Sequence, residues 1–288
     1  MNLTDKQKGI GLALFGVLII TPDSLFIRLI SISSWELIFY RGLVPFICLL
    51  ITLLIYFNKN FIHACYAVGF AGILNAILVS LGNATFVASI ENTNVANTLI
   101  MISLAPFAAA ILSSFFLREH PKKRTWVTII ICFSFVLFIF YDSYEANRIY
   151  GDLFGLATAF LIGGSAVAIR YGKIVSFLPS LLLAKLFTML IAFFFIQSLY
   201  IEGIDVFLII IMGIFFVFIP ISLITLAPRY IAAHEVELFF ILETVLGPIW
   251  VWLAINEQPS IKVIIGGISI ILLISIHTFL ELKENKAN

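Results

Sequence analysis

The chain alternates long apolar runs with brief polar breaks, and the runs have the length that a lipid bilayer sets. A helix needs about 20 mostly apolar residues to cross the hydrocarbon, where the backbone must satisfy its own hydrogen bonds. Ten runs fit that pattern, near residues 9–29, 35–57, 64–88, 95–117, 126–141, 153–169, 178–199, 206–227, 236–254 and 263–280. The polar string Glu91-Asn92-Thr93-Asn94 splits the third from the fourth. The pattern predicts an all-α integral membrane protein with ten transmembrane helices.

Composition leaves no soluble alternative. The 288 residues are 62% hydrophobic and 11% charged, with mean hydropathy +1.13, against about 45–50% apolar and about 25% charged for a soluble domain. The formal net charge of +1 and the absence of a basic stripe give no reason to expect nucleic acid as a partner. Cys48, Cys65 and Cys132 lie in or beside apolar runs without metal-ligand spacing, so they read as packing residues, with no disulfide and no metal. Lys6 and Lys8 precede the first run, but no small-residue cleavage site follows, so that run is expected to be a retained span.

Charge placement orients the spans. Lys6, Lys8, Lys59, Arg118, Lys122, Lys123, Arg124, Arg170, Lys173, Arg229, Lys283 and Lys286 fall on one side, and Arg28, Arg148 and Lys262 on the other. The positive-inside rule then puts both termini in the cytoplasm, for a multi-pass protein of a bacterial inner (plasma) membrane. The acids Glu91, Asp142, Glu145, Asp152, Glu202, Asp205 and Glu257 gather on the outer side. Trp35, Trp126, Trp250 and Trp252 stand near span ends, where interfacial anchoring is their expected role.

The sequence also aligns with itself at polar landmarks. Glu119-His120-Pro121 matches Glu257-Gln258-Pro259 at a shift of 138; the stretches 21–28 and 163–170, ending in Arg28 and Arg170, match at 142; Arg41 meets Lys185 at 144. Two five-helix halves, 1–145 and 146–288, follow. Five is odd, so the halves enter the membrane from opposite faces, the inverted arrangement that recurs in secondary transporters.

At these residues the sequence resembles the EamA-type family of the drug/metabolite transporter superfamily. Pro106 followed by Arg118-Glu119, the second-half run Leu242-Glu243-Thr244-Val245 with Asn256-Glu257-Gln258-Pro259, and Phe39-Tyr40-Arg41-Gly42 early in the second span carry the resemblance. It implies two EamA-type five-helix repeats, a central cavity between them, and movement of small metabolites. Thr244 stands where many members have proline after the glutamate; Pro248, one turn later, could supply the helix break expected there.

Ionisable groups deep in spans are the first candidates for a site. A charge at the bilayer centre costs about 2.5–3.5 kcal/mol on insertion scales, so those retained usually pair or line a wet cavity. The set is Asp23, Arg41, Lys185 and Glu243. Asp23 and Arg41 lie about 10 Å from the outer ends of their spans, and Lys185 and Glu243 about 10–12 Å from the inner ends of theirs, which predicts an outer pair and an inner pair. These groups either line a substrate pathway or gate it, or they brace helices, or Arg41 and Lys185 snorkel. Asp23 or Glu243 could also exchange a proton during a cycle. Asn75, Asn97, Ser103 and Ser222 are uncharged cavity candidates, with helix bridging as the alternative.

Glu36, Arg28, Glu235 and Glu237 are expected at the interface, and His277 against headgroups. Pro22, Pro45, Pro106, Pro220 and Pro248 should kink their helices. Gly155, Ala159 and Gly163, four residues apart, should make a close-packed face.

The reading is an alternating-access carrier, not an enzyme, for a small metabolite such as an amino acid or other zwitterion. The alternatives are a lipid or lipid-headgroup flippase of the same fold and a membrane-embedded transferase, whose clustered His, Asp or Cys residues do not appear. The expected partners are a small-molecule substrate, the lipid bilayer and a second copy in a homodimer; no cofactor is expected.

Overall fold

The computed structural model describes residues 5–118, 123–172, 178–227, 230 and 233–287. The helices are α1 (Asp5–Ile20), α2 (Asp23–Leu29), α3 (Ser34–Phe57), α4 (Phe61–Tyr66), α5 (Gly69–Asn92), α6 (Val95–Ile102), α7 (Ala105–Phe116), α8 (Lys123–Glu145), α9 (Ile149–Gly172), α10 (Leu178–Phe193), α11 (Ile204–Ile211), α12 (Ile219–Leu226), α13 (Ala233–Ile255) and α14 (Ile261–Ala287). A π-helical stretch, Met212–Phe218, joins α11 to α12. No strand occurs among the described residues. By length and composition, seven helical segments among the described residues can cross a membrane, and three shorter apolar helices accompany them: Leu178–Phe193, Leu242–Ile255 and Ile261–His277.

The apolar runs place the helices well and their ends less well. The third run was expected over 64–88, but its helix is Gly69–Asn92, because Gly69 at φ +61° turns the chain and leaves α4 in the preceding connection. The seventh was expected to reach 199 and stops at Phe193; beyond it the chain bends so that the Leu199 carbonyl accepts from the Tyr40 hydroxyl at 2.6 Å. Pro22 and Pro106 stand at true interruptions, between α1 and α2 and between α6 and α7. Pro45 and Pro248 are carried inside unbroken helices, so no break occurs near Thr244.

Polar contacts gather five connections at one end of the bundle. Arg28 Nη2 donates to the Thr93 carbonyl at 2.7 Å. The Ser31 amide donates to the Asp205 carboxylate at 3.3 Å. Arg148 Nη1 donates to Asn94 Oδ1 at 2.6 Å, and Arg28 Nε lies 3.1 Å from Glu257 Oε2. The helix ends at Asp5 and Ala287 point the other way, so both termini share the opposite, terminal end.

The packing has an internal correspondence. α5 runs along α9, and α12 along α1; α6 and α7 contact α9, and α13 contacts α1 and α2; α5 contacts α10, and the π stretch contacts α3. Each second member is the first with the two halves exchanged, while α3 with α10, α8 with α14 and α6 with α13 map onto themselves. Arg118 and Asn256, which align at the shift of 138, share a left-handed backbone, φ +54° and +57°.

Two close crossings fix the halves. A Cβ on Gly42 of α3 would sit 2.6 Å from the Met189 amide and 2.9 Å from the Lys185 carbonyl of α10. A Cβ on Gly163 of α9 would meet the Ala109 amide at 2.6 Å and the Ala105 carbonyl at 2.9 Å. Ala159 is fully buried, so the small-residue face of α9 is the surface on which α6 and α7 lie. Large apolar side chains such as Phe15, Ile55, Phe70, Ile130 and Phe279 stay exposed on the perimeter, as lipid as solvent requires. Because the obstacles are backbone, Gly42→Val or Gly163→Val should cost about 1–3 kcal/mol through overpacking, whereas Gly11→Ala, which meets nothing within 4 Å, should be neutral. Thermal unfolding of the purified protein in detergent checks both.

Candidate functional site

The interruption between α1 and α2 builds the site. Pro22 cannot continue the helical ladder, and Thr21 Oγ1 turns back to the Leu18 carbonyl at 2.9 Å while accepting from Trp250 Nε1 at 3.0 Å. The chain restarts at Asp23, whose carboxylate faces α3. There Arg41 donates from Nη1 to Oδ1 at 2.7 Å and from Nη2 to Oδ2 at 2.8 Å. Both residues are only 3% exposed. A bidentate fork of this kind is the strongest geometry for a carboxylate and guanidinium, and burial makes loss of either partner costly. Nη1 also contacts Met212 Sδ at 3.4 Å, at the start of the π stretch, and the guanidinium stands 5.6 Å from the Phe86 ring centroid. Arg41 Nε has no acceptor among the described residues.

This pair borders a cavity of about 380 Å³. Its walls are largely apolar, with Ile20, Phe86, Leu99, Phe216, Phe240 and Ile274 among the lining side chains. The polar groups on them are Asp23, Arg41, Asn83, Ser103, Thr158, Ser165, Glu243 and Thr244. An apolar chamber with a few convergent polar groups is the usual form of a small-molecule site. Glu243, half-buried on α13, lines the chamber and makes no hydrogen bond or ion pair among the described residues. Phe216 and Val217 of the π stretch line it as well, and π segments expose backbone carbonyls that a regular helix would cover.

The expected inner pair does not form. Lys185 is wholly buried and its Nζ reaches Asn83 Oδ1 at 3.4 Å, not Glu243. The charges that act on it are those of Arg41 and Asp23, and the same two act on Glu243. Two levels were expected from depths counted along each span separately, which do not say which helix faces a side chain meets. With α10 ending at Phe193, Lys185 lies near its middle, at the crossing where its carbonyl faces Gly42. The outer pair forms as Asp23 and Arg41, and Lys185 and Glu243 each come within reach of its charges rather than of one another.

The uncharged candidates divide. Ser103 lines the chamber and donates to the Ile100 carbonyl at 2.7 Å. Asn75 is a helix bridge: its Nδ2 donates to Ser180 Oγ at 2.8 Å and its Oδ1 accepts from Ser165 Oγ. Ser222 bonds within its own helix, to the Phe218 carbonyl at 2.7 Å. Asn97 bridges Ser143 Oγ at 2.8 Å and Asp152 Oδ1 at 3.1 Å. Asp152, expected with the outer acids, is fully buried in the first turn of α9 and accepts from Thr93 Oγ1 at 2.7 Å. Arg28, expected at the interface, lies at the end where the connections gather and pairs there with Glu257. His277 is buried against the Phe107 ring. Glu235 and Glu237 lie outside the residues whose side chains are described, as does Glu119.

Sequence reading missed Asn83, Thr158 and Ser165. All three sit in apolar runs just as Asn75 and Asn97 do, so the rule that selected those two would have selected them.

Residues 7–141 match the model of the EamA-like transporter family. That segment is similar to the family's members. EamA proteins are membrane transporters of small molecules within the drug/metabolite transporter superfamily, and not enzymes. No curated protein matches the chain. Among solved structures, one titled only as the crystal structure of a protein is 14% identical, with TM-score 0.63, over 96% of this chain and 98% of that one. At that identity the likeness shows the fold alone. The EamA segment thus supplies Asp23, Arg41, Asn83 and Ser103, while Thr158, Ser165 and Glu243 come from beyond it.

The ion pair makes a sharp prediction. Asp23→Ala should strand the Arg41 charge and cost about 3–5 kcal/mol, whereas Asp23→Leu with Arg41→Met should recover most of that loss. Thermal unfolding in detergent distinguishes the two.

Proposed function

We propose that the protein is an alternating-access carrier of a small zwitterionic metabolite, built from inverted repeats 1–145 and 146–288 whose ten helices cross the inner membrane with both termini in the cytoplasm. The observation that carries this reading is the chamber bordered by Asp23 and Arg41 with Glu243 on its wall. In that chamber the Asp23 carboxylate is satisfied by Arg41, and the Glu243 carboxylate is left for a ligand. A substrate ammonium would meet Glu243, and a substrate carboxylate would meet Arg41 Nε and the Asn83 amide, with the apolar walls taking its body. The exchange correspondence in packing and the left-handed backbones at Arg118 and Asn256 support the repeat. With five helices per half, such a repeat is inverted. A transporter of this kind works by binding its substrate in two states of different access. A lipid flippase remains the second reading of the same fold, but no observation favours it over the carrier.

The test is a thermal-shift screen of the purified protein against amino acids, nucleosides, vitamins and polyamines, because a ligand of the folded state raises its stability by mass action. A zwitterionic ligand should raise the unfolding temperature, and Glu243→Gln should abolish the rise while leaving the unliganded protein's unfolding temperature unchanged. Stabilisation by anions or neutral metabolites alone, or a response indifferent to Glu243→Gln, would overturn the assignment.

A further inference from the structure

The chamber is separated from the end where the five connections gather by two layers. The first is apolar: Ile27, Val87, Ile90, Val95, Leu99 and Val251 are all buried in one cluster. The second is polar and lies about one helical turn further out, since Val95 precedes Leu99 by four residues and Arg28 follows Asp23 by five, or about 6–8 Å at 1.5 Å per residue. There Arg28 Nε meets Glu257 Oε2 at 3.1 Å, Arg28 Nη2 donates to the Thr93 carbonyl at 2.7 Å, and the Val95 amide donates to Glu257 Oε1 at 2.7 Å. The two side chains are 23% and 19% exposed.

These three contacts tie three segments that are distant in sequence. Arg28 ends α2, Glu257 follows α13, and Thr93 and Val95 form the break between α5 and α6. The break is extended at Thr93, so its carbonyl and the Val95 amide are left over by both helices. Arg28 and Glu257 satisfy one each while forming an ion pair with one another. A brace for static loops would need only the backbone contacts. Here the ion pair joins α2 to α13, the two elements that also carry Asp23 and Glu243 into the chamber.

We infer that Arg28 and Glu257, with the Thr93 carbonyl and Val95 amide, form the latch that closes the chamber at this end, and that its release lets α2 and α13 separate there. The inference rests on the carrier reading for its purpose, but its test does not. Solvent-accessible ion pairs are weak individually, and this pair keeps some solvent access, which suits a contact that must open and reclose in every cycle. The backbone partners give the latch a direction. An acid at position 28 would face the Thr93 carbonyl and a base at 257 the Val95 amide, so exchanging the charges cannot rebuild it.

The experiment is a distance measurement by pulsed electron resonance between spin labels at Ser31 and Gln258, both exposed, in the full-length protein reconstituted in lipid. The unaltered latch should give one predominant short separation. Glu257→Gln and Arg28→Gln should each add a longer population, Arg28→Lys should add less of it, and the exchanged pair Arg28→Glu with Glu257→Arg should be as open as the single variants. A distribution unmoved by Glu257→Gln and Arg28→Gln, or full closure restored by the exchanged pair, would overturn the latch. A variant that fails to fold is replaced by Arg28→Lys, which keeps the charge and still must show the intermediate distribution. Substrate flux in the same vesicles separates the two proposals: labels that move without flux of any metabolite count against the carrier alone, and flux with labels that do not move counts against the latch alone.

Discussion

Much of the bundle's interior is arranged around one buried ion pair. Asp23 and Arg41 can leave water only as a pair, because an isolated carboxylate or guanidinium in this environment would cost several kcal/mol. Meeting that demand sets other features in turn. The first apolar segment must break at Pro22 so that Asp23 faces α3. α3 must approach α10 at Gly42, where any side chain would strike backbone. The neighbouring helix opens into a π stretch at Met212, whose sulfur accepts from Arg41 Nη1. The pair is therefore less a decoration of the fold than a condition on it.

The same constraint explains where the helices are interrupted. In lipid, irregular backbone is tolerated only where it is buried in protein or lines a cavity. The π stretch and the α6–α7 break both contribute to the chamber wall, through Phe216, Val217, Ser103 and Pro106, while Ile20 and Asp23 flank the α1–α2 break on the same wall. Where no cavity is served, proline is absorbed: Pro45 is held in an unbroken α3 with buried neighbours. Thus the position of a proline says where a helix can break, and the cavity decides where it does.

This bears on what could be read from the residues alone. Segment identity was legible because each apolar run is a local property, and Asp23 and Arg41 were legible because deep charges are rare and these two sit at matching depths. Lys185 was also identified, but its partner was not, since depth along a span does not say that its Nζ turns to Asn83. Asp152 was misread because its run was started at 153: one turn of helix at Ile149–Asp152 separates a surface acid from one held by Thr93 and Asn97. Asn83 and Ser165 carry the same signal as Asn75 and Asn97, a polar side chain in an apolar run, but which of these face the chamber depends on which helix face turns inward, a tertiary fact. The Arg28 and Glu257 contact joins residues 229 apart in sequence, and only the meeting of three connections at one end discloses it.

The exchange correspondence in packing is real in pattern but unequal in extent. α5 packs much more fully along α9 than α12 and the π stretch do along α1, and α6 with α7 more fully on α9 than α13 does on α1 and α2. The looser side is the one that carries Asp23 on α2 and Glu243 on α13, and the one whose far end is held by Arg28 and Glu257. Close crossings at Gly163, against the α7 backbone, and at Gly151, against the end of α5 at Asn92 and Thr93, leave α9 with α5 and α7 little freedom. Any change of access is therefore cheapest where α1 and α2 meet α13, and that is the boundary on which the chamber's unpaired carboxylate lies.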